Sequence, residues 1–299
     1  MPPELRDLVT FVVEKALRYW LHPATLVSAA GVLAAFALAA LVHRWRARHF
    51  AEAWRNQLGT DATHTFFYMS GLFSVLVAGP VYSLANALIA RYAPFLQLNL
   101  GRGLHPVAHF VVLTLSLDFM AYWAHRACHR VPWLWELHKV HHSQTMLTPL
   151  TNFRFHAGDV LLRTVLMLIP VAILGTQTEV FLAVVFFEVA LNGMAHADLP
   201  WTYGALGRLF VNPQFHRLHH STDPRHFGHN FAQQYSVWDY VFRTAYAHEH
   251  EVPAAYGLPG ETMPRSFAMQ QIKPVLTVGR RILRAMTPRR FGAARPADA

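Results

Sequence analysis

Apolar stretches long enough to cross a membrane are the feature that most restricts the fold of this chain. They cover residues 24–42, 65–90, 107–124, 160–174 and 180–195. A transmembrane helix needs about 20 mostly apolar residues, because each residue adds about 1.5 Å along the helix axis. Only 14% of the residues are charged, against about 25% in soluble domains. We therefore predict an all-α, multi-span helical membrane protein, and the composition excludes a disordered or nucleic-acid-binding chain.

Basic residues predict how these helices are oriented. The stretch 24–42 is followed by His43-Arg44-Trp45-Arg46-Ala47-Arg48, and such Lys- and Arg-rich flanks are typical of the cytoplasmic side. The stretch 65–90, with a kink expected at Gly79-Pro80, then leads outward, and the stretch 107–124 leads back. The last two stretches are short and predict a hairpin that either spans or re-enters the membrane. This topology places the histidines that flank the hairpin on the cytoplasmic side.

Three regions of different character divide the sequence. Residues 1–105 are expected to hold an amphipathic N-terminal helix and the first two transmembrane helices. Residues 106–246 hold the third span, the membrane hairpin and most of the histidines. Residues 247–299 form a basic tail, which either docks on anionic lipid, at about 1 kcal/mol per basic residue near the surface, or is solvated and disordered. The single cysteine, Cys128, excludes a disulfide within the chain.

Three of the histidine clusters have a regular spacing. They are His125-x-x-x-His129, His138-x-x-His141-His142 and His216-x-x-His219-His220. At this histidine content, about 0.1 H-x-x-H-H triplets are expected by chance, so two copies are a specific signal. Residues three and four apart lie on one face of a helix. Each cluster therefore predicts a helix face that presents several imidazoles together.

These imidazoles predict a centre of two metal ions. Neutral imidazole binds iron, copper, zinc and nickel, and eight or more imidazoles exceed what one ion can take. His196 is added because Glu188, Asn192 and His196 form a polar stripe at fourfold spacing. His109 is left out because, on one continuous helix, it would lie about 24 Å from the first cluster. The predicted metal ligands are His125, His129, His138, His141, His142, His196, His216, His219 and His220.

The sequence around these histidines carries a second, more specific signal. It reads Asp118-Phe-Met-Ala-Tyr-Trp-Ala-His125, then Pro132-Trp-Leu-Trp-Glu-Leu-His138, then Asn212-Pro-Gln-Phe-His216, then Trp238-Asp239-Tyr-Val-Phe242-Arg-Thr244. These segments resemble the fatty acid hydroxylase and sterol desaturase superfamily of integral membrane di-iron oxidases. The resemblance implies a helical membrane anchor, a cytoplasmic catalytic cap and two iron ions. It also implies oxidation of a lipid C–H bond with dioxygen and two electrons, by hydroxylation or desaturation, on a sterol, a carotenoid or a fatty acyl chain.

Five further residues are predicted to lie around the metals or the substrate. Asp118 lies on the helix face that presents the first histidine cluster, and an acid in a membrane span is a functional candidate. Asp239 is a second such acid, and structural capping or ion pairing is the alternative role for both. Asn192 is expected to hold a metal-bound water. Arg154 and His156 match a motif that often follows the second cluster in the resembling family.

The implied reaction needs electrons from outside the chain. The sequence contains no glycine-rich dinucleotide fingerprint and no cysteine set for an iron–sulfur cluster. We therefore expect a separate donor, a small cytochrome or a ferredoxin with its reductase, docked on the basic cytoplasmic surface. A lipid substrate and the membrane are the other expected partners.

Two other classes of membrane protein also use histidines. A haem electron carrier needs isolated histidine pairs on facing helices, and it would show a Soret band. A divalent-metal transporter places its sites near the bilayer midplane, whereas these clusters lie beyond the apolar stretches. Both classes are alternatives ranked below a membrane oxidase.

Overall fold

The computed structural model describes residues 57–248 and 250–286, with scattered positions between residues 6 and 37. In the two continuous ranges the chain forms α-helices joined by turns and loops, and its only strand-like feature is an isolated bridge between Ser221 and Tyr256. The predicted all-α fold is confirmed for this part of the chain. The predicted N-terminal amphipathic helix, the first predicted span and the end of the basic tail lie wholly or largely outside the described residues.

Nine helices are labelled in chain order within these two ranges. They are α1 (Gly59–Met69), α2 (Ser74–Tyr92), α3 (Pro106–Arg130), α4 (Pro132–His138), α5 (Ala157–Leu174), α6 (Thr178–Ala195), α7 (Pro213–His219), α8 (Val237–Val241) and α9 (Phe267–Met286). Four of them, α2, α3, α5 and α6, are long and apolar enough to cross a membrane. The structure therefore has the helices of a multi-pass membrane protein.

The second predicted span is divided into two helices, so the prediction of one kinked helix over 65–90 is wrong. The chain turns at Gly71, which has a left-handed conformation with φ 76°, and glycine adopts this conformation without steric cost. α2 then passes through Pro80 after a π-helical stretch over Ser74–Ala78. The break therefore lies at Gly71 and not at Gly79-Pro80.

Polar contacts explain why α1 is not part of the span. The buried carboxylate of Asp61 accepts a hydrogen bond from Arg154 at 2.9 Å, and buried His64 lies 2.8 Å from the side-chain oxygen of Gln270. Burying such groups is costly unless they are paired. α1 is therefore held against the polar layer of the protein, and only α2 is left to cross the membrane.

The helices α3, α5 and α6 pack side by side and bring their polar ends together. Their common apolar core contains Leu113, Leu117, Leu174, Val180 and Val184. α5 and α6 have 18 residues each, so each is about 27 Å long. The carboxyl ends of α3 and α6 and the amino end of α5 meet at the same end of this bundle, where the histidines lie.

Short helices and loops cover this end of the bundle. α4 and α7 begin with Pro132 and Pro213, and proline suits the first helical position because the N–H it lacks is not needed there. The Asn212 side chain caps α7 by accepting a hydrogen bond from the N–H of Phe215 at 2.8 Å. The second and third histidine clusters are thereby placed above the ends of the long helices.

Within the basic tail, residues 267–286 form the helix α9 rather than disordered chain. α9 packs against α1 and α4, and Arg281 forms an ion pair with the buried Glu136 of α4. In the part of the chain that the structure describes, segments on both sides of residues 106–246 therefore pack against the histidine-bearing region.

Candidate metal centre

Nine histidines gather in two adjacent groups. Within each group, one ligand atom of every member lies within 4.8 Å of the others. The ring of His142 in the first group stacks at 4.4 Å on the ring of His220 in the second, so the groups touch. The five-histidine group contains His125, His129, His138, His142 and His219, and the four-histidine group contains His141, His196, His216 and His220. Every predicted ligand thus lies in one of the two groups.

The second and third clusters each contribute to both groups. α4 ends at His138, and His141 and His142 lie on a 3₁₀ turn instead of the single helix face expected from the spacing. This turn directs His141 into the four-histidine group and its two neighbours into the other. In the third cluster, His219 alone joins the five-histidine group. The histidines of the second cluster are therefore divided between the two groups, and so are those of the third cluster.

The Nε2 atoms of the five-histidine group are available to bind a cation. All five are buried and have no hydrogen-bond partner. His125 and His219 donate from Nδ1 to main-chain carbonyls at 2.7 and 2.8 Å, and His138 donates to a carboxylate of Asp159 at 2.7 Å. An imidazole that donates from Nδ1 keeps a lone pair on Nε2, the form that binds metals. The donor set therefore fits a metal ion.

The four-histidine group also fits a metal ion, and here the evidence is a close contact between two imidazole rings. His196 and His141 donate from Nδ1 to the carbonyls of Asn192 and Arg154 at 2.7 and 3.3 Å. Their Nε2 atoms lie only 3.2 Å apart. A neutral imidazole has one N–H, so two lone pairs face each other across this contact. A cation bound there would turn that repulsion into coordination.

Burial keeps these imidazoles uncharged. It lowers the pKa of His196 to about 4 and the pKa of His219 to about 3. The same cause lowers the pKa of His138, His141, His142, His216 and His220 below the ordinary value for histidine. Metals bind the neutral ring. The groups are therefore in the ligand form at neutral pH.

Asp159 is a site residue that the sequence analysis missed. Its buried carboxylate, in the first turn of α5, binds Nδ1 of His138 at 2.7 Å and Nε of Arg163 at 3.0 Å. A carboxylate on the second ring nitrogen fixes the tautomer and the direction of a ligand imidazole. The signal was present, because an acid at the edge of an apolar stretch with an arginine four residues later is typical of a buried ion pair.

The two predicted acids hold loops next to the centre. Asp118 accepts hydrogen bonds from the backbone N–H groups of 234–235, both at 2.9 Å, and contacts no imidazole of the two groups. Asp239 accepts a hydrogen bond from the N–H of Phe231 at 2.9 Å, and the carbonyl of Phe231 accepts one from His125. Asp239 therefore acts on a candidate ligand through the backbone, and Asp118 anchors the following loop.

The matched motif Arg154-Phe-His156 supports the centre without joining it. The backbone carbonyl of Arg154 accepts the hydrogen bond from His141, while its guanidinium pairs with Asp61. His156 caps α5 by accepting from the N–H of Gly158 at 2.9 Å, and its Nε2 donates to the carbonyl of Gln271 at 2.7 Å.

His109 lies outside both groups, as predicted from its distance to the first cluster along one continuous helix. It is buried near the opposite end of α3, where its Nε2 lies 3.2 Å from the carbonyl of Gly175.

A cavity of about 280 Å³ lies beside the four-histidine group. His141, His196 and His216 line it, as does His125 from the five-histidine group. Phe155 forms another part of the wall, and its ring stacks on His141 with 4.4 Å between ring centroids. The four-histidine group is therefore the more open of the two.

Comparison with known proteins identifies the region that carries these histidines. Residues 110–244 match the family model described as Fatty acid hydroxylase. These residues are a fatty acid hydroxylase domain. All nine histidines lie inside the hydroxylase domain, and the predicted superfamily is confirmed.

Relatives of the hydroxylase domain are named for reactions on lipids and long-chain aldehydes. An ornithine lipid hydroxylase from Rhizobium tropici is 27% identical over 80% of this chain and 73% of its own length. An alkylglycerol monooxygenase from Caenorhabditis elegans is 32% identical, over 47% of this chain and only 28% of its own length. A very-long-chain aldehyde decarbonylase from Oryza sativa is 26% identical, over 58% of this chain and 65% of its own length. No solved structure matches the chain.

Proposed function

We propose that this protein is a membrane-bound di-iron oxidoreductase that uses dioxygen and two electrons to hydroxylate or desaturate a lipid C–H bond. The observation that carries the proposal is the pair of all-histidine groups, one of which opens on a cavity lined by α5 and α6. The family match and the relatives' names support oxidation of a lipid.

The chain supplies the ligands and their orientation. The five-histidine group and the four-histidine group would each hold one iron, and bound iron would supply the activation of dioxygen. Asp159 and the carbonyls of Phe231 and Asn192 orient the imidazoles by accepting their Nδ1 protons. In hydroxylation, one oxygen atom enters the C–H bond and the other leaves as water with two electrons and two protons. In desaturation, both oxygen atoms leave as water.

Metal analysis is the first test. The protein is purified in mild detergent from iron-supplemented cells, and iron per chain is measured by mass spectrometry. About two irons per chain without a Soret band would support the proposal, and oxygen consumption on addition of lipids would then identify a substrate. A stoichiometric haem spectrum would favour the electron carrier instead. Uptake of radioactive zinc by proteoliposomes would favour the transporter.

We also propose that the metal centre faces the cytoplasm and that residues 106–246 form the catalytic region. Most of the Lys and Arg residues lie in the loops and the tail that the predicted topology places on the same side as the histidines. Such a bias supports this orientation. The only cysteine is buried, so one introduced cysteine reports topology. A membrane-impermeant maleimide should label Gln97→Cys in intact cells and Ser266→Cys only after lysis. Labelling in the reverse order would contradict the orientation.

A separate electron carrier completes the proposal. Lysine and arginine side chains on the cytoplasmic face suit an acidic donor, a small cytochrome or a ferredoxin with its reductase. Turnover with a reconstituted donor should fall as ionic strength rises, and turnover that is insensitive to salt would contradict docking by charge.

A further inference from the structure

The cavity beside the four-histidine group contains side-chain amides whose hydrogen-bonding capacity is unused. Asn152, Asn192 and Gln233 line the cavity, and none of their amide groups bonds to another residue that the structure describes. Each amide offers two donors and one acceptor. The three side chains are half-buried, so water reaches their amides. A polar group of a bound molecule would take the place of that water and accept or donate the same hydrogen bonds.

The other end of the cavity is apolar and leads toward the bilayer. Val160, Thr164 and Met167 lie on one face of α5 and extend the wall by about 10 Å along that helix. The hydroxyl of Thr164 is already donated to the carbonyl of Val160 at 2.9 Å. Arg163 also lines this part of the wall, and its Nε is paired with Asp159 at 3.0 Å. Apart from this paired arginine, the cavity is polar next to the histidines and mainly apolar along the membrane helix.

We propose that the cavity binds an amphiphilic lipid with its polar group against Asn152, Asn192 and Gln233 and its tail along α5. This inference rests on the proposed function and names the substrate class. The carbon nearest the four-histidine group then lies within a few bonds of the polar group. The substrate is a lipid oxidised next to its amide, hydroxyl or carboxyl group, rather than in the middle of an apolar chain.

Displacement of radiolabelled palmitamide from the iron-loaded protein in detergent tests this proposal. Unlabelled palmitamide should displace the label at a concentration at least about tenfold lower than hexadecane, because hydrogen bonds to the amides are lost with the hydrocarbon. Gln233→Met and Asn192→Leu should each weaken palmitamide binding several-fold. Gln97→Met, in the exposed loop at the opposite end of the molecule, is the matched control and should bind as the wild type does.

Equal displacement by palmitamide and hexadecane would overturn the proposal, and that comparison needs no variant to fold. Mass spectrometry of products supplies a second readout, since oxygen inserted far from the polar group would also overturn it. Iron content and lipid-dependent oxygen consumption are measured on the same preparation. The proposed function fails if both are absent, whereas the substrate class fails if both are present without preference for the polar lipid.

The helix α9 carries a second, independent inference. At 100° per residue, its side chains form three faces. One face, with the buried Gln270 and Pro274, packs on the protein. Arg280 and Arg284 are exposed on the adjoining flank. The third face exposes Met269, Ile272, Val275, Leu276, Ile282 and Met286.

The position of α9 relative to the membrane helices points to its partner. The side-chain oxygen of Gln271 accepts a hydrogen bond from the N–H of Ala157 at 2.8 Å, at the first residue of α5. α9 is therefore level with the end of a membrane-spanning helix. We propose that it lies in the headgroup layer of an anionic bilayer, with its apolar face toward the acyl chains and its arginines at the phosphates.

Spin labels in lipid nanodiscs test this placement. A label on Val275→Cys should be protected from an aqueous nickel chelate and accessible to dissolved oxygen, while a label on Ser266→Cys should show the opposite. Replacing anionic by zwitterionic lipid should reduce the protection at Val275. A Val275 label as accessible to nickel as the Ser266 label, in anionic nanodiscs, would overturn the proposal.

Discussion

The two histidine groups use the same side chain but differ in how the protein closes them. In the five-histidine group, a carboxylate and two carbonyls hold imidazoles through Nδ1, and only His125 lines the cavity. In the four-histidine group, three of the four rings line the cavity and no carboxylate holds them. Two groups built from the same side chain therefore differ in how directly the cavity reaches them. We expect the closed group to anchor its metal and the open group to meet substrate.

Removing one ligand from either group is expected to have the largest effect. His219→Ala in the closed group and His141→Ala in the open group should each lower turnover by more than about 100-fold and reduce the iron content. Product formation and iron per chain are measured together. His109→Ala, far from both groups, should keep its iron. Full turnover in either ligand variant would contradict the site assignment.

Asp159 distinguishes the groups by a smaller effect. Asp159→Asn should weaken iron binding by about 10- to 100-fold, because the amide no longer holds His138 as a charged acceptor and leaves Arg163 without its counter-ion. The loss should be confined to one iron. Asp118→Asn is the matched control, since that carboxylate contacts only backbone N–H groups. It should lower thermal stability and leave the iron affinity largely intact.

Chelation tests the difference in access directly. A small ferrous chelator should remove iron in two phases, the faster one from the open group, because its rings line the cavity. Iron release is followed by the absorbance of the chelate. His141→Ala should abolish the fast phase, and His219→Ala the slow phase. A single phase in the wild type would mean that the two groups do not differ in access.

The smallest expected effect concerns the ring that stacks on the open group. Phe155→Leu removes a contact with His141 worth about 0.5–1.5 kcal/mol, so turnover should fall only a few-fold. Phe153→Leu changes the same cavity wall without that contact and should alter mainly KM. Equal effects of the two variants on turnover would show that the stacking contributes nothing specific.

Much of the candidate site follows from local sequence. The spacing of the clusters predicts ligands at three and four residues apart, and the apolar stretches predict the long helices α3, which carries the first cluster, and α6, which ends just before His196. His109 could be excluded by helix length alone. These predictions work because the rise and turn of a helix are properties of the backbone and need no knowledge of what packs against it.

Other features depend on contacts between distant segments. Asp61 and Arg154 are far apart in the sequence, so their ion pair, which holds α1 away from the membrane helices, has no local signal. Asp159 lies at the edge of an apolar stretch, where its pairing with His138 depends on how α4 turns back over α5.

The all-α membrane architecture and the nine candidate ligands could be predicted from the sequence, because they depend on hydropathy and on the periodicity of a helix. Three features became visible only in the folded protein: which histidines share a group, which group is open and where the polar amides face. The 3₁₀ turn after His138 directs His141 and His142 into different groups. The packing of α3, α4, α6 and α7 then brings histidines from distant segments together in each group. The division of the histidines between the two groups depends on this packing of helices, which no local sequence pattern specifies.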